Sequence, residues 1–424
     1  MLLLLFILFL ITLVMGMPIA YGMAFSSLVS LMLSNVPLTV IVQRMFVSVD
    51  SFSLMAIPFF MLAGEIMEQG GISRRLVRFA SSLVGWMKGG LAMVSIVASV
   101  IFAGISGSAS ADTAAVGALL IPAQVRRGYP RGYVAALQAA AGALGPIVPP
   151  SILMIIYGGI TGLSIGKLFL AGAVPGVFIA LSLMIFNYFM ARKYKFEGEG
   201  TFSLSEAWQS LKASIWALLA PIIIIGGILS GFFTATEAGV IAVIYCFVIG
   251  AFVYREIKLK DIFGIFNRAA RTTTMVMIIV AGASIFGWIL AMGQFPQIAT
   301  NLLLSISHNP DVVFLMIIIF LLVVGCFIET VAAAIILIPV LSTIANTMGY
   351  DPIHFATVVV ICLVLGGVTP PVGVLLFITS SIAKCSIVES SRWIAPIMGV
   401  IITVILLITY VPSLVLFLPN ALMK

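Results

Sequence analysis

The chain has 424 residues, 62% hydrophobic and only 8% charged, with a formal net charge of +7. A soluble domain carries about 25% charged residues, so the composition excludes a soluble globular protein and specifies an all-α polytopic membrane protein. The positive balance reads as basic loops on one membrane face rather than a nucleic-acid surface, and the four cysteines (Cys246, Cys326, Cys362 and Cys385) lie in apolar runs without metal-ligand spacing.

Residues 1–15 carry no basic n-region and no small-residue cleavage site, which predicts a first membrane helix rather than a removed signal. Helices are expected near 2–15, 18–33 and 51–68. Residues 72–86, with Arg74, Arg75 and Arg78 along one side, suit an interfacial helix. Next comes GISGSASADTAA (104–115), with serines, a threonine and Asp112 crowded into an apolar context. Its flanks, 89–104 and 112–127, are each about 24 Å long at ~1.5 Å per residue, short of the ~30 Å hydrocarbon core. Lys88, Arg126, Arg127 and Arg131 bracket the segment at both ends. A segment that leaves on the side it entered is a re-entrant hairpin, here 89–127, with the serines at its tip. Irregular backbone survives at membrane depth only where it is buried in protein or lines a polar cavity.

The helix expected at 133–160 is interrupted by LGPIVPPS (144–151), because paired prolines remove amide donors and disfavour helix in the residue before them. A helix at 168–190 leads into the longest polar stretch, ARKYKFEGEGTFSLSEAWQS. Beyond it, helices are expected near 214–230, 235–253 and 272–292, then an interfacial helix at 294–307. A second hairpin at 312–346 has its tip at 325–330. A helix at 353–382 is broken at LGGVTPPVG (365–373), and a last helix covers 393–416.

These two series are one unit written twice. Gly71 to Gly104 is matched by Gly293 to Gly325, LLIP ending at Pro122 by ILIP ending at Pro339, and Gly128-Tyr129 by Gly349-Tyr350. Pro150 and Pro371 follow those glycines at the same distance, and Ser164-Ile165 answers Ser386-Ile387. The second hairpin is bracketed by His308, Asp311 and Asp351, with no lysine or arginine. The positive-inside rule therefore places the two hairpins on opposite faces, puts all 21 lysines and arginines but Arg44, Lys167 and Lys424 inside, and leaves the C-terminus outside. Like halves of opposite orientation are an inverted repeat, a hallmark of secondary transporters.

Each half thus sets a tip bearing hydroxyls and an acid opposite a broken helix. Ser106, Ser108 and Asp112 serve the first half; Glu329 and Thr330 serve the second. Carbonyls freed at the breaks, with these side chains, suit a dehydrated Na+, and an acid at membrane depth is a functional candidate by default. Ala109, Ala111 and Ala114 read as packing residues. Glu65 reads as interfacial, Glu237 as a helix cap and His354 as a helix-end residue. GISG (104–107) also matches the GxSG of intramembrane serine proteases, but the two histidines, His308 and His354, fall near the outer surface, away from Ser106. A non-enzyme is expected, and two opposed half-sites suit alternating access better than a channel.

FAGISGSASADTAAVG, LGPIVPPSILMIIYG, GFFTATEAGVIAVIY and LGGVTPPVGVLLF resemble, over nearly the whole chain, the large membrane subunit of TRAP (tripartite ATP-independent periplasmic) transporters. The resemblance implies an elevator-type, Na+-driven importer of organic anions in the bacterial inner membrane. A periplasmic binding protein would deliver substrate, and a small four-helix membrane subunit, here a separate chain, would complete the scaffold. On that pattern the first Na+ site maps onto Ser106, Asp112, Gly145, Val148 and Pro150, and the second onto Gly325, Glu329, Gly366, Thr369 and Val372. Ser108, Ser110, Pro149, Thr330 and Pro370 are the candidate substrate contacts. The implied organisation is scaffold helices at 1–50 and 214–260, transport repeats at 51–192 (hairpin 89–127, broken helix 130–160) and 261–424 (hairpin 312–346, broken helix 352–382), and a cytoplasmic linker at 193–213. SASADTAA looks more like members importing sialic acid than dicarboxylate members. No cofactor or ATPase is expected, since there is no GxxxxGK[ST]. The alternative is a single-chain ion-coupled anion symporter.

Overall fold

A computed structural model of the chain describes residues 1–423 except Asn35 and Glu199; Lys424, one of the three basic residues expected outside, and Glu199 of the linker lie outside the described residues. Every regular element among the described residues is helical. The first half runs α1 (Leu2–Val14), α2 (Ile19–Met32), α3 (Thr39–Val49), α4 (Ala56–Gln69), α5 (Ile72–Val84), α6 (Gly90–Ser106), α7 (Ala109–Arg126), α8 (Arg131–Gly142), α9 (Ile152–Thr161) and α10 (Ile165–Tyr194). The second runs α11 (Leu204–Leu229), α12 (Ala235–Val248, extended by a π-helical turn over Ile249–Val253), α13 (Leu259–Met292), α14 (Phe295–Ile306), α15 (Pro310–Gly325), α16 (Thr330–Met348), α17 (Pro352–Gly366), α18 (Val374–Ala383), α19 (Ile387–Tyr410) and α20 (Pro412–Leu422).

Among the described residues, six helices are long and apolar enough to cross a membrane: α10, α11, α12 with its π turn, α13, α16 and α19. The two hairpins are present. In the first, α6 ends on Gly107 in the left-handed region (φ 64°), and Ser108 caps α7 by accepting from the Ala111 amide at 3.5 Å. In the second, α15 ends at Gly325 and Glu329 caps α16, accepting from the Ala332 amide at 3.0 Å. Both broken helices are also present. α8 and α9 flank one break, α17 and α18 the other, and each break carries a cis proline pair, Pro149-Pro150 and Pro370-Pro371. The expected cap at Glu237 is a capping box: its carboxylate accepts from the Thr234 amide at 2.8 Å while its own amide donates to Thr234 Oγ1 at 3.2 Å.

Several boundaries move. Residues 39–49, which lie between the expected helices 18–33 and 51–68, form α3. The helix expected at 393–416 is two, because Pro412 starts α20. α13 begins at Leu259, not near 272, so its basic stretch is helical. The linker of 193–213 shrinks at both ends, since α10 runs to Tyr194 and α11 starts at Leu204 under a Ser203 cap.

The helices that precede the breaks form the centre. α8 from Gly132 onward and α17 from His354 onward are buried residue by residue. α8 achieves this with small residues: a methyl on Gly142 would strike Thr113 of α7, and one on Gly132 would come within 2.8 Å of Glu389 of α19. The repeats also interlock, with α7 packing on α18 and α16 on α9. Basic segments meet at one end of the molecule. There Arg131 donates to the Lys384 carbonyl at 3.0 Å, Arg75 pairs with Glu256 at 2.8 Å, and Arg268 pairs with Glu65 at 2.8 Å. Glu65 thus stands at an ion pair on this end, as an interfacial residue would. Met423 packs near Gly166, at the start of α10, and so lies at the opposite end from the basic C-terminus of that helix.

Candidate functional site

The first tip closes directly onto the first break. Gly107 O accepts from the Ile152 amide at 3.4 Å, and a methyl on Gly107 would sit 2.6 Å from Pro150 O. Inside this junction Asp112 is 0% exposed. Its Oδ1 accepts a short hydrogen bond from Ser106 Oγ, which in turn accepts from the Ser108 amide at 3.1 Å. Its Oδ2 accepts no hydrogen bond from any described residue. It faces Gly145, where a methyl would come within 2.5 Å of Oδ2 and 2.9 Å of Ser108 O. A buried carboxylate oxygen without a donor is costly. Carboxylate, hydroxyl and carbonyl oxygens gathered around it form the donor set of a hard cation.

The second tip meets the second break in the same way. Gly325 and Gly366 press backbone to backbone: a methyl on Gly366 would lie 2.5 Å from the Gly325 Cα. Thr330 Oγ1 would lie 3.2 Å from a methyl on Gly367. Only glycine permits such an approach.

Of the expected ion-site residues, Ser106, Ser108, Asp112, Gly145 and Pro150 come together at the first junction, and Gly325, Glu329, Thr330 and Gly366 at the second. Val148 packs under Gly176 of α10. The Thr369 hydroxyl donates to Leu365 O at 2.9 Å, and Val372 is 40% exposed. The repeat sets the two acids in two registers: counted from Gly104 and Gly325, Glu329 stands opposite Ser108, the cap of α7, and Asp112 opposite Ala333; counted from Pro122 and Pro339, Asp112 and Glu329 stand opposite each other.

The two tips share one cavity of about 270 Å³. Ser108 and Ser110 reach it from the first, Glu329 and Thr330 from the second, and Thr272 and Met275 of α13 close one side. Three of the candidate substrate contacts, Ser108, Ser110 and Thr330, therefore face the same space, while Pro149 and Pro370 do not line it. Met61, Thr272 and Met275 were not singled out from the sequence. The run of threonines at 272–274 was the one available signal. A small polar organic molecule is the size this space admits, with the tip hydroxyls and amides to orient it.

Residues 6–414 match the family of the tripartite ATP-independent periplasmic transporter, DctM component. Among similar proteins, the isethionate TRAP transporter permease protein DctMQ of Oleidesulfovibrio alaskensis is 40% identical over 96% of this chain, which spans 64% of that relative's length. The sialic acid TRAP transporter large permease protein SiaM of Vibrio cholerae is 38% identical over 96% of this chain and 95% of its own length. The C4-dicarboxylate TRAP transporter large permease protein DctM of Pseudomonas aeruginosa is 38% identical over 89% and 88%. Among solved structures, the YdaH transporter of Alcanivorax borkumensis superimposes with a TM-score of 0.62 at 14% identity, covering 88% of this chain and 87% of that one, a likeness of fold alone.

Proposed function

The chain belongs to the DctM component family of the tripartite ATP-independent periplasmic transporters, and from that premise we propose that it is the large permease subunit of a Na+-coupled importer of an organic acid anion in the bacterial inner membrane. Asp112 carries the reading: it is a fully buried acid with one oxygen left for a cation, beside a cavity that both hairpin tips share. Na+ at each tip–break junction would neutralise the site and draw the substrate carboxylate or sulfonate toward Ser108, Ser110 and Thr330. Sialic acid is the first substrate to test. The relatives' names span a sulfonate, a sugar acid and dicarboxylates, so the shared chemistry is the organic anion.

The driving force suffices without ATP. Two Na+ entering with one monoanion move one net positive charge. Tenfold gradients on both supply about 2.8 kcal/mol at ~1.4 per factor of ten, and a potential of ~100 mV adds ~2.3. In the proposed cycle the paired repeats carry the site between faces as one body, against a scaffold of 1–50 and 214–260 completed by a separate small membrane subunit. A periplasmic binding protein delivers the anion. Proteoliposomes with an inward Na+ gradient test this by adding components one at a time. Uptake is expected only with binding protein and small subunit present. Robust uptake by the large chain alone at low substrate would replace the tripartite reading with a single-chain symporter.

A further inference from the structure

A second cavity, of about 390 Å³, lies end-on to the central one. The same three helices wall both, and their residues advance by about one turn from the first space to the second. On α13 they pass from Val276 and Ile279 to Val280 and Ala283; on α9 from Leu153 to Ile156; on α16 from Val331 to Ile335. The second cavity lies toward the C-terminal ends of α9 and α13, away from the end where the basic segments meet. A third space, of about 40 Å³, shares Met61, Ser108 and Thr272 with the central cavity and ends beside Glu65 and Glu68, toward that basic end. By their walls the wide cavity lies on one side of the central one and the smallest space on the other, toward the basic end.

Arg44 is the one charged residue among the described residues lining the wide cavity. α3 presents it there because Ser284 Oγ of α13 donates to the Arg44 carbonyl at 3.3 Å, tying the two helices together. Its guanidinium carbon stands 5.4 Å from the centre of the Trp288 ring. That stack holds the planar head against α13 while leaving its in-plane donors free. No described carboxylate lies within ion-pair distance of it. The remaining walls are apolar but for the hydroxyls of Ser48, Ser51 and Ser284. Arg44 is itself exposed at the open side of this cavity, and a guanidinium resting on Trp288 with unused donors beside mostly apolar walls suits a carboxylate or sulfonate, which it can grip through two parallel hydrogen bonds.

We propose that Arg44, stacked on Trp288, forms an entry subsite that captures the anionic group of the substrate before it passes along α9, α13 and α16 to the central cavity. The proposal rests on the organic-anion reading above and adds to it a recognition residue separate from the two tips.

Phenylglyoxal footprinting of the full-length chain in lipid nanodiscs, read by mass spectrometry, tests binding without requiring transport. The probes are N-acetylneuraminate, succinate and isethionate, each against equimolar chloride, in discs of zwitterionic lipid with and without phosphatidylglycerol. At least one probe should slow modification of Arg44 fivefold or more in both lipids and leave the exposed Arg126 unchanged. Absence of protection by all three would overturn the proposal. Protection that appears with phosphatidylglycerol alone, without added anion, would also overturn it by making Arg44 a lipid-phosphate contact.

In the complete reconstituted system, Arg44→Gln should raise KM at least fivefold with kcat held within about twofold, and Arg44→Lys should recover part of that loss. An unchanged KM in Arg44→Gln, with normal wild-type uptake, would sink the subsite and leave the transport reading standing. Protection of Arg44 in a wild-type protein that transports none of the probes would support the subsite and count against the transport reading.

Discussion

Gly145 gives the sharpest test of the first junction. A methyl there would lie 2.5 Å from Asp112 Oδ2 and 2.9 Å from the Ser108 carbonyl. Neither neighbour can give cheaply: the carboxylate is fully buried and held by Ser106, and the carbonyl belongs to the hairpin backbone. Overpacking of this kind costs typically about 1–3 kcal/mol. Gly226 and Gly399 supply the control, since each sits in a helix and a methyl on either meets nothing within 4 Å. There alanine should be neutral or stabilising by about 0.5–1 kcal/mol. Gly145→Ala is therefore expected to lower the thermal midpoint in nanodiscs while Gly226→Ala and Gly399→Ala hold or raise it. If the displaced oxygen is an ion ligand, the cost falls on the ion-bound state, and half-saturating Na+ for uptake should rise by about 5- to 150-fold. A Gly145→Ala protein with wild-type midpoint and wild-type Na+ activation would refute the account of this junction.

Asp112→Ala and Glu329→Ala should each abolish Na+-dependent uptake in protein that still inserts; normal rates with unchanged Na+ dependence in both would end the paired-site scheme. Phe202→Cys should react with an impermeant thiol reagent only from the cytoplasm and Met423→Cys only from outside, and periplasmic labelling at position 202 would overturn the orientation. Tyr133→Phe removes the 2.6 Å hydrogen bond to buried Asn187 Oδ1, so stability should fall by about 1–3 kcal/mol, read as a lower thermal midpoint; no shift would mean that Asn187 finds another donor.

The tips and breaks were legible because they violate the chemistry of a membrane interior. Serines and an acid in an apolar run, or two prolines after a glycine, have few explanations there, and the in-register repetition removed most of those. What the sequence hid was ordinary by the same standard. α3 is eleven residues long, too short to register as a span, and its Gln43 and Arg44 interrupt its apolar run. The start of α13 carries Lys260, Arg268 and Arg271, which mark a membrane face but do not prevent helix. Pro412 was absorbed into a continuous helix although proline suits a first turn. The acids pair when counted from Pro122 and Pro339, whereas the glycine spacing sets Ser108 opposite Glu329. The wall of the central cavity formed by Met61 and Met275 carries no chemical oddity, so only the packing reveals it.

The exchange of partners between repeats bears on how two half-sites could work together. α7, which leaves the first tip, is seated on α18, which follows the second break; α16, which leaves the second tip, is seated on α9, which follows the first break. A shift of either tip relative to its own break therefore has to disturb the other repeat as well. Close-packed interiors transmit such a strain rather than absorb it, and the junctions here are close indeed, glycine backbone on glycine backbone at Gly325 and Gly366. A carrier that moves its cargo without letting ions slip across must keep both sites and the space between them in one body. In the proposed cycle, interlocked repeats around a shared cavity would supply that rigidity and leave any sliding to helices outside them. On this arrangement Asp112 and Glu329 need not be equivalent by symmetry to be coupled, because each is fixed by a tip whose return helix leans on the other half.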